Sequence, residues 1–444
     1  MEIKVTQDLH EGVATFGMDA PPVNALGAAL RRRLGELIAS AIATPEVKAI
    51  VIAAEGRMFS AGADLREFGQ PATAPVLSDL CRQIEDSPKP VIAVLHGAAL
   101  GGGAELAMAA HYRIATASAT IGLPEVTLGL VPGAGGTQRL PRLVGPQAAI
   151  DMMLSGKAIT AGQAEDSGLI DGIVGDDRRA AAQAFARGLL ARDLGSRPTS
   201  GRRDWLADGA GWLAAVRRAR RALGPTPGAA PGRIVDCVEA ALVLPIDAGL
   251  GFERVAFEDC LSDPASVALR HLFLAERRIA MALLVRDPEG GRVLSATGTA
   301  LATRLARAQL SAAEALIRQG EDVGEIDEAL VDLGLGREGP ALAPPKVRLG
   351  ALARRINAAV VAEGCRLVSE GAVLRTGDVD VLAVVGLGYP RVTGGPMKSA
   401  EMDGLTELRA DMQGWADEDP IWSVPPLLAQ AVKFAGGFAA VSPG

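Results

Sequence analysis

The residues most able to do chemistry in this 444-residue chain are two glutamates twenty positions apart. Glu105 lies in Gly97-Ala-Ala-Leu-Gly101-Gly102-Gly103-Ala104-Glu105-Leu106-Ala107-Met108, and Glu125 lies in Ile121-Gly122-Leu123-Pro124-Glu125-Val126. A further glycine-rich turn follows, Val131-Pro132-Gly133-Ala134-Gly135-Gly136-Thr137-Gln138-Arg139. Taken singly, Glu105 is a first-turn carboxylate matched to its helix dipole and Glu125 a surface residue after a proline turn. Their company changes that reading. Glu105 sits in a small-residue, apolar segment, where a charge without a partner is costly and its pKa is expected to rise. A buried pair of carboxylates suits acid and base work on one substrate.

Elements must hold such a pair. Pro90 to Leu95 is a short apolar run fit for a buried strand, and the glycines after it end the strand and open an apolar helix, Ala104–Ala110. Glycine lets backbone N–H groups approach a ligand, and the first turn of a helix offers unpaired N–H groups and the positive end of the dipole. An oxygen gaining charge is stabilised there, beside Glu105. A second junction of this kind follows the apolar run Lys48 to Ala54, where Glu55-Gly-Arg-Met-Phe-Ser-Ala61-Gly62-Ala63-Asp64 is a turn of small residues able to present backbone donors. A two-donor oxyanion hole needs two such junctions.

The surrounding pattern alternates strand, turn and helix. Residues 2–16 read as a pair of strands, Ala20 to Leu26 as a turn into an amphipathic helix ending near Ala43, and Gly69 to Leu80 as a loop running into a helix. Two helical segments follow Arg139, and Gly168 to Val174 closes the section as a strand. Repeated units of this type with apolar strands indicate an α/β fold. Residues 176–285 read as largely helical, broken at the Pro/Gly stretch 224–232, with a late helix around Asp263–Leu284.

Length implies two or three compact units. A net charge of −7 argues against nucleic acid, and the arginine clusters Arg31–Arg33 and Arg217–Arg221 lie in helical patterns as solvated faces. The four cysteines (Cys81, Cys237, Cys260, Cys365) and four histidines (His10, His96, His111, His271) are scattered, so neither a metal site nor a Ser-His-Asp set has support. His111 is expected in the core. The cysteines fit reduced thiols. With no leader, no peroxisomal tripeptide and no window apolar enough for a membrane span, the expected location is the bacterial cytoplasm.

GGGAELAMAAHYRIA, IGLPEVTLGLVPGAGGTQRLPRLVG and RMFSAGADLREF resemble the crotonase, or enoyl-CoA hydratase/isomerase, superfamily. The resemblance implies a spiral of ββα turns and an oxyanion hole for a coenzyme A thioester made by the N–H groups of Ala63 and Gly102. It also implies Glu105 and Glu125 as the catalytic pair, with Gly133 helping to hold the attacking water. Ala61, Gly101 and Leu123 fall on the substrate side of the match, Arg57 and Arg66 near the phosphates of coenzyme A, and the 69–80 loop beside the acyl pocket. Coenzyme A belongs to the substrate, so no separate cofactor is implied. Both glutamates together favour hydration of a 2-enoyl-CoA over simple isomerisation, with Δ3-Δ2 isomerase activity on the side.

PPVNAL, AAHYRIA and LRHLFLAERRIAM resemble the hydratase half of the type-1 multifunctional enzymes of β-oxidation, in which a 3-hydroxyacyl-CoA dehydrogenase follows. No G-x-G-x-x-G turn for a dinucleotide appears after Arg286, so no NAD site is expected. A weak internal repeat follows instead, Ile317 to Asp327 with Leu333 to Pro340, echoed by Leu367 to Gly371 with Gly377 to Asp380 and Gly386 to Met397. Both halves resemble the helical C-terminal domain of those dehydrogenases. The expected organisation is a spiral core over 1–190, its helical extension over 191–290, and an all-α tail over 296–440, with a shortened first repeat at 300–345 and a second at 350–433. Beyond the acyl-CoA substrate, the tail implies self-association or docking of another β-oxidation enzyme, with no nucleic acid or membrane partner. The alternatives are a non-catalytic scaffolding subunit docking a separate dehydrogenase, or another crotonase-type reaction.

Overall fold

A computed structural model describes residues 3–71, 73–224, 228–289, 291–333, 349–434 and 436–441. The chain divides into two compact units, one of residues 1–224 and 229–261, the other of 225–228 and 262–444.

In the first unit, β1 (Lys4–His10) and β2 (Val13–Asp19) form an antiparallel hairpin, and α1 (Ala28–Ala43) follows. Leu30, Leu34, Leu37, Ile38 and Ala41 recur at helical spacing and form its buried face. Arg31, expected on a solvated face, is 4% exposed instead, its guanidinium donating to Glu67 and to the carbonyls of Leu26, Thr73 and Pro75. Next come β3 (Ala49–Ala54), α2 (Leu77–Glu85), β4 (Val91–Leu95), β5 (Ala98–Leu100), α3 (Gly102–Ala109), β6 (Tyr112–Thr116) and β7 (Thr120–Gly122). Helices α4 (Gly136–Val144) and α5 (Pro146–Ser155), strand β8 (Ile159–Thr160), helix α6 (Ala161–Asp166), strand β9 (Gly172–Val174) and helix α7 (Arg178–Ala191) complete the spiral.

The main sheet runs β1-β2-β3-β4-β6-β9, parallel from β2 onward. Its central strands are apolar on both sides because both faces are covered. Ile50, Ile52, Ala93 and Leu95 enter the main core, while Val51, Ile92, Val94 and Ile114 pack with Ala182, Ala186 and Leu189 of α7. Each valine, leucine or isoleucine among them contributes about 1.5–3 kcal/mol when fully buried. A second sheet, β5-β7-β8, was not foreseen: a three-residue strand stands between the expected strand and the glycine-rich helix, too short to show a pattern. Helices α8 (Gly209–Leu223), α9 (Ala230–Val243) and α10 (Ile246–Ser262) close this unit's core, with Trp212, Ile234, Val238 and Ala256 buried in it.

The second unit begins with α11 (Pro264–Arg278), which the sequence groups with the spiral domain; its Leu272 and Ala275 instead pack on Leu284 and Val381. The helix also ends earlier than expected, and the apolar tail after it forms β10 (Leu284–Arg286), paired antiparallel with β11 (Arg292–Leu294). Over the expected repeat lie four helices, α12 (Ala296–Arg318), α13 (Val323–Asp332), α14 (Ala351–Ser369) and α15 (Thr376–Leu387). The long helices α12 and α14 pack together. The middle of α14 is buried without a break from Ile356 to Cys365, while Arg354, Arg355 and Arg366 nearer its ends form ion pairs. Helices α16 (Pro396–Asp403), α17 (Leu405–Trp415) and α18 (Pro426–Ala431) surround it. From Ala296 onward the described residues hold helices and no strand, in agreement with the expected all-α tail. Residues 334–340 of the first repeat motif, 225–227 of the Pro/Gly stretch and 442–444 lie outside the described residues. No helix of the described residues is long and apolar enough to cross a membrane.

Candidate active site

The loop after β3 returns along the edge of β5. Phe59 N donates to His96 O at 2.9 Å, Ser60 N to Ala98 O at 3.1 Å, and Leu100 N to Ser60 O at 2.9 Å. Asn24 pins this loop from the side. Its Oδ1 accepts from Ala20 N at 2.8 Å, its Nδ2 donates to Glu55 O at 2.8 Å and Met58 O at 2.9 Å, and its carbonyl accepts from Ser60 Oγ at 2.7 Å. Asn24 takes φ 49°, a left-handed conformation that asparagine tolerates better than most residues.

Gly62 is glycine for two reasons. Its φ is +96°, and a Cβ there would lie 2.8 Å from Leu100 O and 3.1 Å from Gly102 N. The backbone of 62–63 is therefore pressed against that of 100–102. Ala63 N lies 3.2 Å from where a Cβ on Gly102 would stand, so the two expected oxyanion donors are neighbours. Ala63 N donates to no turn or loop acceptor among the described residues. Gly102 opens α3, where an N–H has no intrahelical partner.

Glu105, in the first turn of α3, is 3% exposed, and its Oε1 accepts from Ala134 N at 2.7 Å and Gly136 N at 2.8 Å. Burial raises its pKa above the ordinary range, while the two amides and the Arg139 charge oppose the rise. Glu125 opens a 3-10 turn after Pro124. Its Oε2 is out of solvent with no hydrogen-bond partner among the described residues. Burial first, and the Glu105 charge second, push its carboxyl well above the ordinary range. The N-cap Gly101 (φ 53°) separates it from α3, since a Cβ there would lie 3.1 Å from Glu125 Oε1. The fold thus brings Ala63, Gly101, Gly102, Glu105 and Glu125 together.

The other expected residues are placed variously. Gly133 lies against Phe257, whose ring meets Phe68 edge-on at 5.7 Å between centroids. A cavity of about 190 Å³ is lined by Ser78, Arg82, Gly133, Gly135, Leu250 and Glu253, among others. Leu123 is buried and Ala61 half-buried, its N–H donating to Val23 O at 2.9 Å. Arg57 is exposed, and Arg66, also exposed, closes its guanidinium on Asp64 at 2.6 Å. His111 lies in the core, its Nδ1 accepting from Val91 N at 3.0 Å. Among the described residues no group of three or more His, Cys, Asp or Glu could hold a metal ion.

Three contributors escaped the sequence reading. Asn24 gave no signal beyond its place in PPVNAL. Glu85 accepts from Arg139 Nη2 at 2.8 Å, and Arg139 Nη1 in turn donates to Ala134 O at 2.8 Å, bracing the turn that serves Glu105. Glu253, from α10, accepts from Gly135 N and Thr137 N of the same turn. Its one signal is a carboxylate amid apolar residues in Gly249-Leu-Gly-Phe-Glu253-Arg-Val-Ala-Phe257.

An α/β spiral that sets two strand-end amides beside buried Glu105 and half-buried Glu125, one of whose oxygens is out of solvent, suits a class of enzyme that stabilises an oxyanion while moving protons. A family model described as enoyl-CoA hydratase/isomerase matches residues 8–190. A Bacillus subtilis (strain 168) protein named probable enoyl-CoA hydratase is 42% identical over 187 residues, covering 40% of this chain and 72% of that one. The peroxisomal bifunctional enzymes of Homo sapiens and Danio rerio are 39% and 37% identical over 277 and 278 residues, in each case 61% of this chain. This chain spans 37–38% of the length of those two relatives. It belongs to the enoyl-CoA hydratase/isomerase family.

Proposed function

We propose that the chain is an enoyl-CoA hydratase that adds water across the C2=C3 bond of 2-enoyl-CoA thioesters to give 3-hydroxyacyl-CoA in fatty-acid β-oxidation or related acyl-CoA degradation. The observation that carries this reading is the placement of two differently held carboxylates beside two adjacent amides. The thioester oxygen accepts from Ala63 N and Gly102 N, and each donor stabilises the enolate-like transition state by about 3 kcal/mol. Glu105, whose amide donors favour its ionised form, takes a proton from water as the oxygen attacks C3. Glu125, whose desolvated carboxyl has one oxygen without a partner among the described residues and lies beside the Glu105 charge, favours the protonated form and delivers a proton to C2. Gly133 borders the water's position. Δ3-Δ2 isomerisation follows as a side activity, since Glu125 can move a proton at C2 without water.

Arg57 and Arg66 are assigned to the coenzyme A phosphates; Arg66 would exchange Asp64 for phosphate. The second unit is assigned a structural role, without redox function, because the sequence offers no dinucleotide-binding turn; its helical surface is the candidate for self-association or for docking another β-oxidation enzyme. The bacterial cytoplasm is the proposed location, in keeping with four buried cysteines.

The test is loss of the enoyl-thioester absorbance with crotonyl-CoA and a longer 2-enoyl-CoA, comparing wild type with Glu105→Ala and Glu125→Ala, followed by addition of NAD. Hydration abolished by either change, with no NADH formed, supports the reading. No turnover at any chain length overturns it.

A further inference from the structure

The turn from Ala134 to Thr137 divides its amides between two carboxylates. Ala134 N and Gly136 N donate to Glu105 Oε1 at 2.7 and 2.8 Å, whereas Gly135 N and Thr137 N donate to Glu253 Oε1 and Oε2 at 2.6 and 2.8 Å. Thr137 Oγ1 adds a third donation to Glu253 Oε2 at 2.6 Å. Glu253 is 1% exposed and forms no ion pair in the described structure, because the buried guanidinium nearby, Arg139, is engaged by Glu85 and Ala134 O. A carboxylate so buried and unpaired carries a large desolvation cost. Capping α4 would explain the bond to Thr137 N. It does not explain the second oxygen on Gly135, nor Glu253's place in the cavity wall with Gly133.

We propose that Glu253 is a positioning residue: by holding the amides of Gly135 and Thr137, it turns those of Ala134 and Gly136 toward Glu105 and fixes the oxygen that takes the proton from water. What Glu105 does rests on the hydratase reading; what Glu253 holds rests on the hydrogen bonds alone.

The groups facing Glu253 are Glu105 of α3, Glu125 of the 3-10 turn, Arg139 of α4, Cys81 of α2 and Cys237 of α9. Burial and the Glu105 charge push Glu253 up to about 8, against its three hydrogen bonds. Two interacting carboxylates titrate as a pair. Below about pH 8 Glu253 holds its proton and sets no charge against Glu105; as it ionises above that, the repulsion between the two carboxyls grows.

The experiment compares full-length wild type with Glu253→Gln and Thr137→Val. Glutamine keeps the volume but sets an NH2 group against a backbone N–H. We expect kcat to fall on the order of 10²-fold through misplacement of Glu105, with KM little changed because Ala63 and Gly102 are untouched. The step near pH 8 in the kcat profile should vanish. In protein labelled with 13C at the glutamate carboxyl, the resonance missing from Glu253→Gln should titrate near pH 8 in wild type and be mirrored by the resonance missing from Glu105→Gln. Thr137→Val, which removes one of the three donors, should move the Glu253 titration upward and lower kcat less. A kcat within about twofold of wild type in Glu253→Gln, or a Glu253 resonance that titrates independently of Glu105, overturns the proposal. Wild type without hydratase activity would end the hydratase reading, and the paired titration would still decide the role of Glu253.

Discussion

Gly62→Ala tests the oxyanion hole where its geometry is tightest. The new Cβ would stand 2.8 Å from Leu100 O and 3.1 Å from Gly102 N, at a φ of +96°. The left-handed backbone costs about 1–2 kcal/mol, and relieving the clash requires the 62–63 segment to retreat from 100–102 by a sizeable fraction of an ångström. Ala63 N then no longer points where the thioester oxygen must sit, and loss of one oxyanion donor lowers kcat about 10²–10³-fold. Gly168→Ala is the matched control. Its φ is +76°, but its nearest neighbour, Leu143 O, is 3.8 Å from the added Cβ, so it should lose comparable stability and keep its kcat. The assay is the initial rate of enoyl-thioester absorbance loss, beside thermal unfolding of both variants. Equal loss of kcat in the two, or full activity in Gly62→Ala, would refute the reasoning.

Other outcomes follow from the same geometry. Asn24→Ala strands Ala20 N, Glu55 O and Met58 O and places alanine at φ 49°; chemical denaturation should show a loss of about 4 kcal/mol. Glu85→Ala leaves the Arg139 guanidinium buried without its partner, which should cost about 3–5 kcal/mol, and the double variant with Arg139→Met should recover part of it. Glu253 also makes stability depend on pH. Its folded pKa, about 8, lies above the ordinary 4.5, so the folded state holds a proton that the unfolded state has released. Its stabilising contribution is full below about pH 4.5 and lost as pH rises to about 8. Denaturation midpoints of wild type should fall across that interval, and those of Glu253→Gln should fall less.

Glu105 and Glu125 were legible because each stands inside a contiguous run whose glycines and prolines announce the turn that presents it. The α/β character was legible too, since fully buried parallel strands such as Val91–Leu95 are apolar without interruption. Asn24, Glu85 and Glu253 were not, because each acts on a backbone segment remote in sequence and resembles an ordinary polar residue where it stands. Arg31 was misplaced for the same reason: its helix supplies the expected exposed position, but Glu67 and three carbonyls from other segments surround it. The end of the spiral unit was set too late. Nothing local in Pro264–Arg278 distinguishes packing on one core from packing on another; only the partners Leu284 and Val381 decide it.

The division of the 134–137 turn between α3 and α10 sets a minimum size for a working fragment. The family match ends at residue 190, yet a chain stopped there would lack the carboxylate that accepts from Gly135 and Thr137. It would also lose α9, which packs on α4 and α5, and with it Ile234, Val235 and Val238 from the core. The smallest piece able to hold this site therefore reaches through Ser262, and an attempt to graft, shuffle or express the spiral alone should be cut after α10.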